Sequence, residues 1–178
     1  WSRNKKTSKK YPNLDPRYIF VNSGFNVRPL DIQAAIALNQ FKKLDKFKKI
    51  RIENRKKIID SLKKDSKWKN QFHFIEVPLK LKPSYMVFPI ILNPKFKNKK
   101  KQFINEMEKR GLQTRPVISG SFANQPATSL YKLNPKKIRF KGAEKIEKLG
   151  FVIGLHTAKI SNIEINFIKN CLFLIDKA

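Results

Sequence analysis

Histidine occurs twice and cysteine once in this 178-residue chain, and that scarcity removes whole classes of chemistry. One thiol cannot build an internal disulfide framework, and two imidazoles with Cys171 offer no metal-ligand spacing. No apolar run approaches the roughly 18 residues that a membrane-spanning helix needs. The opening Trp1-Ser2-Arg3-Asn4-Lys5-Lys6-Thr7-Ser8-Lys9-Lys10 lacks the apolar centre of a secretory signal. These absences lead to the expectation of a cytoplasmic protein with no membrane span. Glycine occupies only six positions, none in a phosphate-cradling cluster, and no internal repeat is visible. The chain does not start with methionine, so a part of a longer protein is expected.

Acidic residues are the second deficit. Thirteen Asp and Glu stand against forty Lys and Arg, a formal charge of +27. An excess of that size raises nucleic acid or an anionic membrane as a partner. The cations are mostly lysines spread through several segments, as in Lys42-Lys43, Lys48-Lys49, Lys56-Lys57, Lys63-Lys64 and Lys99-Lys100-Lys101. Lysines spaced in this way along helices are solvated faces. No aromatic RNA-binding strand, zinc spacing or basic zipper accompanies them. A basic nucleic-acid-binding domain is therefore an alternative reading. A broad positive field also attracts small phosphorylated substrates.

What is present reads as alternating helices and strands. Residues 1–28 form a polar lead-in with a β-like run at Tyr18–Val21, followed by a helix predicted from Pro29 to Lys64 without internal proline or glycine. Its start, Leu30 to Leu38, is apolar on nearly every side, which predicts a neighbour on every side. Strands are expected at Phe72–Val77 and Ser84–Leu92, with Pro89 marking an edge or bulge. Lys99–Arg110 is an amphipathic helix with Phe103, Ile104 and Met107 inward and Gly111 as its left-handed cap. A third strand at Leu112–Ile118, a helical piece near Ala127–Lys132, a helix at Ala143–Leu149 and a strand at Phe151–Leu155 follow. The last helix opens with Ser161 and Glu164 at capping-box spacing and buries Phe167, Ile168, Cys171, Leu172 and Ile175. The order predicts an α+β fold, a small, largely antiparallel sheet covered by helices.

The segment richest in functional signals is Ser23-Gly24-Phe25-Asn26-Val27-Arg28-Pro29-Leu30-Asp31. Gly24 permits a tight turn, Pro29 suits the first turn of a helix, and Asp31 complements the dipole there. Asn26 and Arg28 lie next to that helix start, where free amide donors favour an anion. A capped helix with a polar entry loop accounts for the same residues.

Read onward to Leu44, this segment resembles the G-Y-N-x-R-x-x-x-x-Q-A-A-I signature of the DegT/DnrJ/EryC1/StrS family of pyridoxal-phosphate sugar aminotransferases. Tyr85–Ile90 is similar to a strand of that family's small domain. Gly111–Gly120 and Gly150–His156 look more like its CDP-4-keto-6-deoxyglucose 3-dehydrase-like branch. The resemblance implies residues 29–178 to be a long interdomain helix and the C-terminal small domain of a fold type I enzyme. It implies a homodimer acting on a nucleotide-linked keto sugar, by transamination with a donor such as glutamate or by dehydration, in lipopolysaccharide or deoxysugar biosynthesis. The catalytic Schiff-base lysine, or the dehydrase histidine, is expected upstream of this chain, so the chain alone is expected to be inactive. Asn26 matches the asparagine that reaches the cofactor phosphate of the other subunit, and Arg28, Arg115 and His156 are placed on the substrate side, each with an ordinary structural role as the competing reading. Ser121 departs from the branch's frequent asparagine. The branch's iron-sulfur cysteines have no counterpart after Trp1-Ser2-Arg3, so no cluster is expected. A non-catalytic partner domain is the remaining alternative.

Overall fold

Structure is described here for Lys9 and residues 29–78, 80–81, 83–118, 120–125, 128 and 139–178 of a computed structural model. The expected strand Tyr18–Val21, the segment carrying Asn26 and Arg28, and the expected helical piece at 127–132, Thr128 apart, lie outside those residues. The chain divides into two units, Trp1–Lys42 and Lys43–Ala178.

In the first unit, helix α1 (Asp31–Phe41) begins after Leu30, whose backbone is extended. The Leu30 N–H donates to Gln33 Oε1 at 3.0 Å, satisfying a group that the helix itself cannot. Asp31 sits in the first turn, as the dipole argument requires. Leu30, Ile32, Ile36, Leu38 and Phe41 are between 59% and 72% exposed.

Helix α2 (Leu44–Lys63) opens the second unit. The single helix expected from Pro29 to Lys64 is thus interrupted at Lys42-Lys43, although both keep right-handed helical dihedrals. Neither residue is a breaker by propensity, but Lys46 stands four residues from Lys42 and three from Lys43, spacings at which like charges weaken a helix. The buried side of α2 is Ile50, Asn54, Ile58 and Leu62, one residue per turn.

Four strands, β1 (Phe72–Phe74), β2 (Val87–Leu92), β3 (Thr114–Arg115) and β4 (Gly150–Gly154), form one antiparallel sheet in the order β1-β2-β4-β3. Helices α3 (Lys100–Lys109), α4 (Lys141–Leu149) and α5 (Asn162–Leu172) join α2 around it, giving the α+β architecture anticipated above. The register pairs Phe72 with Leu92, Phe74 with Ile90, Ile90 with Phe151 and Phe88 with Ile153, so these side chains share one face. All are nearly or fully buried. Phe103 of α3, fully buried, meets Phe151 edge-on at 5.8 Å, while Trp68 stacks on Phe74 at 5.9 Å and Phe74 on Phe88 at 5.4 Å. Such ring pairs add roughly 0.5–1.5 kcal/mol each beyond the area they bury.

Pro89 lies in the interior strand β2, but at a level that β1 no longer pairs, so it is locally at an edge as expected. The ladder explains how it is tolerated. The Asn93 N–H donates to Gln71 O at 2.8 Å, so alternation turns the backbone polar groups of residues 91 and 89 toward β1 as well. One step beyond the Phe74–Ile90 pair, Ile75 would face Pro89, which has no N–H to give. Strand β1 ends there, and the Ile75 carbonyl accepts instead from Arg55 Nη2 at 2.7 Å.

Gly111, at φ 91°, closes α3 as expected: its N–H donates to Glu108 O at 2.9 Å, and the Leu112 N–H to Met107 O at 3.1 Å. Gly150 has a different task. It is extended, not left-handed, and a Cβ there would lie 2.6 Å from Ile146 O, so only glycine lets α4 turn directly into β4. At the start of α5, the Ser161 N–H donates to Glu164 Oε2 at 2.7 Å while Ser161 Oγ accepts from the Glu164 N–H at 3.2 Å. The expected capping box is formed. Ile165, Cys171, Leu172 and Ile175 are buried, whereas Phe167 is 42% exposed, because the inward stripe runs through Ile165 and Ile168 instead.

Candidate functional site

Two of the four expected site residues, Asn26 and Arg28, lie outside the described residues. The other two lie in different neighbourhoods, Arg115 in the edge strand β3 and His156 just past the end of the neighbouring β4. Arg115 is paired with Val152 in the ladder, four residues before His156. At about 3.3 Å per residue, that is on the order of 13 Å along the strand.

Arg115 is exposed on the edge strand β3, next to the buried Thr114. The pairing puts it on the sheet face of Val152 and Pro89, opposite the Phe88 and Ile153 face. It borders a cavity of about 580 Å³ together with Lys97, Lys100, Lys101, Lys148 and Glu108. Glu108, the carboxylate of this group, already accepts from Thr114 Oγ1 at 2.5 Å. A planar guanidinium among ammonium groups is suited to a phosphate or a carboxylate. Close by in sequence, Ile118 has φ 52° and is 91% exposed. That conformation is strained for a β-branched residue, and nothing in the expected strand Leu112–Ile118 signalled it. Ser121 is buried.

Burial pushes the Lys100 ammonium below its ordinary value, with Glu147 acting in the opposite sense. Its Nζ donates to Glu147 O at 2.8 Å. The bond ties Lys100 to the end of α4, on the cavity it shares with Arg115. The catalytic residue was expected outside this chain.

His156 is exposed just past the end of β4. Its Nδ1 accepts from the Ala158 N–H at 3.0 Å. The segment it begins is tied to α2 by Asn54, which is 2% exposed. Asn54 Nδ2 donates to Ala158 O at 2.8 Å and to His156 O at 3.3 Å, and Asn54 Oδ1 accepts from the Ile160 N–H at 3.1 Å. Asn54 was not among the expected site residues. The signal was readable, since it is the one polar residue in the series Ile50, Asn54, Ile58, Leu62. Beyond the capping box, Ser161's hydroxyl and N–H hold the Glu164 carboxyl below the usual range, and a charge on His156 would act in the same sense. Cys171 is buried, and burial raises its thiol. Among the described residues no group of three or more His, Cys, Asp or Glu could hold a metal ion, and no helix is long and apolar enough to cross a membrane.

Comparison with known proteins identifies the family and the fold. The GDP-4-keto-6-deoxy-D-mannose 3-dehydratase of Escherichia coli O55:H7 is 25% identical over 179 residues, covering 97% of this chain and 44% of that protein. The UDP-4-amino-4,6-dideoxy-N-acetyl-beta-L-altrosamine transaminase of Campylobacter jejuni serotype O:23/36 is 26% identical over 155 residues, covering 87% of this chain and 39% of its own length. This chain thus spans less than half the length of these curated relatives. A solved structure of the E. coli dehydratase with bound hydrated PLP superimposes with a TM-score of 0.74 at 25% identity, over 89% of this chain and 39% of that one. The profile of the DegT/DnrJ/EryC1/StrS aminotransferase family matches residues 2–168, nearly the whole chain. The chain belongs to the DegT/DnrJ/EryC1/StrS aminotransferase family.

Proposed function

We propose that this chain is the C-terminal portion of a pyridoxal-phosphate enzyme that acts on a nucleotide-linked keto sugar. The enzyme is an aminotransferase or a related deoxysugar dehydratase, serving lipopolysaccharide, O-antigen or deoxysugar synthesis in the cytoplasm. The observation that carries this reading is the family match over residues 2–168, joined to a shared fold with a dehydratase crystallised with PLP. When bound, the cofactor supplies an electron sink for bond breaking next to the carbonyl-derived carbon. This chain's own residues bind and orient. Asn26 is assigned to the cofactor phosphate across a homodimer boundary, and Arg28 to the substrate or that boundary. Arg115, with lysines on the same cavity, is assigned to an anionic part of the sugar nucleotide. His156 is assigned to the rim of the site. Glutamate is the proposed amino donor for transamination; a related dehydratase structure holds a trapped PLP-glutamate geminal diamine.

The test uses the full-length protein reconstituted with pyridoxal phosphate. A cofactor absorbance band and conversion of a GDP- or UDP-linked 4-keto sugar are expected, with Asn26→Ala weakening cofactor retention. Absence of both band and conversion would overturn the reading. The present chain alone is expected to show neither.

A further inference from the structure

We infer that Asn54 is a positioning residue that holds His156 as an outward-facing Nε2–H donor for an oxygen of the sugar nucleotide. The inference rests on the reading of His156 given above. A buried carboxamide offers two donor hydrogens and one acceptor oxygen, and here both ends are engaged by backbone of a single segment, residues 156–160. The groups so joined are more than 100 residues apart in sequence, so the contact is tertiary. At 2% exposure the amide has no water to fall back on, and any rotation of the segment strands a buried donor or acceptor. The segment is therefore clamped at His156, Ala158 and Ile160.

The clamp reaches the imidazole through one further bond. Asn54 fixes the Ala158 peptide by its carbonyl, and the same residue's N–H donates to His156 Nδ1 at 3.0 Å. A neutral imidazole that accepts at Nδ1 carries its hydrogen on Nε2. The ring is exposed, so the Nε2–H is available to an incoming acceptor. Glu164, in the first turn of α5, would interact electrostatically with the ring only when that ring is charged, and its carboxylate is engaged by the Ser161 N–H and hydroxyl. A directed neutral donor suits hydroxyl, carbonyl or phosphate oxygen, the groups in which a sugar nucleotide is rich.

Long-range nitrogen-edited imidazole spectra of the present chain read the tautomer directly, without cofactor or substrate. The wild-type chain is expected to show His156 as a single Nε2–H form, and Asn54→Ala to show tautomer averaging while ring signals of Phe103 and Phe151 stay dispersed. If Asn54→Ala fails to fold, Asn54→Asp keeps the acceptor for Ile160 and removes both donors, and the same averaging is expected. An Nδ1–H form in the wild type, or an unchanged tautomer in a folded Asn54 variant, overturns the inference. In the full-length enzyme, His156→Ala should raise KM for the sugar nucleotide by roughly tenfold and Asn54→Ala by a smaller factor, each with kcat within about twofold, and the double variant should be no worse than His156→Ala alone, since Asn54 acts only through that donor. Additive losses, or no change in KM, also overturn it. Loss of the cofactor absorbance band in unmutated enzyme would instead defeat the family-based function and leave the tautomer result standing.

Discussion

Replacing Arg55 by methionine tests the account of why β1 stops where it does. The methionine keeps the aliphatic stem but removes the guanidinium that donates to Ile75 O at 2.7 Å and lies 4.7 Å from the Tyr85 ring and 5.4 Å from the Phe88 ring. A charge-assisted hydrogen bond contributes about 1.5 kcal/mol at the lower end of its range, appropriate to an exposed carbonyl. A half-buried cation over aromatic rings adds about 0.5 kcal/mol. The expected loss is therefore about 2 kcal/mol, read as a shift of about 1 M in the urea midpoint for a slope near 2 kcal/mol/M. The sharper measurement is a cycle with Pro89→Val. That change restores an N–H opposite the Ile75 carbonyl and offers the oxygen a strand partner in place of the guanidinium. Alone it should be close to neutral, because the added ladder bond is offset by the lost stiffening of the unfolded chain, about 0.4–1 kcal/mol. In its presence Arg55→Met should cost only about 0.5–1 kcal/mol, a coupling of about 1–1.5 kcal/mol, well above the scatter of independent sites. Additivity within about 0.5 kcal/mol would show that Arg55 and Pro89 do not compete for one acceptor, and would refute the reasoning.

Gly150→Ala should destabilise the chain by about 1–3 kcal/mol through its clash with Ile146 O, while Gly154→Ala, with nothing within 4 Å, should shift the urea midpoint little; equal effects would remove the close-approach argument. Ser161→Ala should cost about 1 kcal/mol at neutral pH. It should also flatten the acid limb of the stability curve. Glu164 titrates below its unfolded value when folded, so its contribution is present above the unfolded carboxylate range and lost as pH falls through the folded value. An unchanged acid limb in this variant would contradict that. Exchanging the exposed Ile32, Ile36 and Leu38 for glutamine should make the isolated chain more monodisperse by light scattering; an unaltered size distribution would show that α1 does not drive association.

Local chemistry was legible wherever a residue's neighbours in sequence are also its neighbours in space. The Ser161–Glu164 capping box, the Gly111 cap and the inward Phe103 and Met107 of α3 follow from spacing alone, since each involves groups within about one helical turn. The four strands of the sheet were legible too, but not their lengths: β1 and β3 are shorter than the expected Phe72–Val77 and Leu112–Ile118, because a strand lasts only while a partner offers hydrogen bonds. The family signature was readable across nearly the whole chain, and the profile match to residues 2–168 agrees with it.

The sequence by itself therefore determined the α+β class, the Gly111 cap, the Ser161–Glu164 capping box and the family, all of which depend on periodicity and on residue types at fixed offsets. Tertiary structure alone decided where Pro89 could be accommodated, which oxygen Arg55 would take, and that Asn54 would hold the segment of His156 more than 100 residues away. Those outcomes depend on which backbone groups are left unpaired when sheet and helices meet, and a buried polar group is satisfied by whatever partner the fold brings within hydrogen-bond distance.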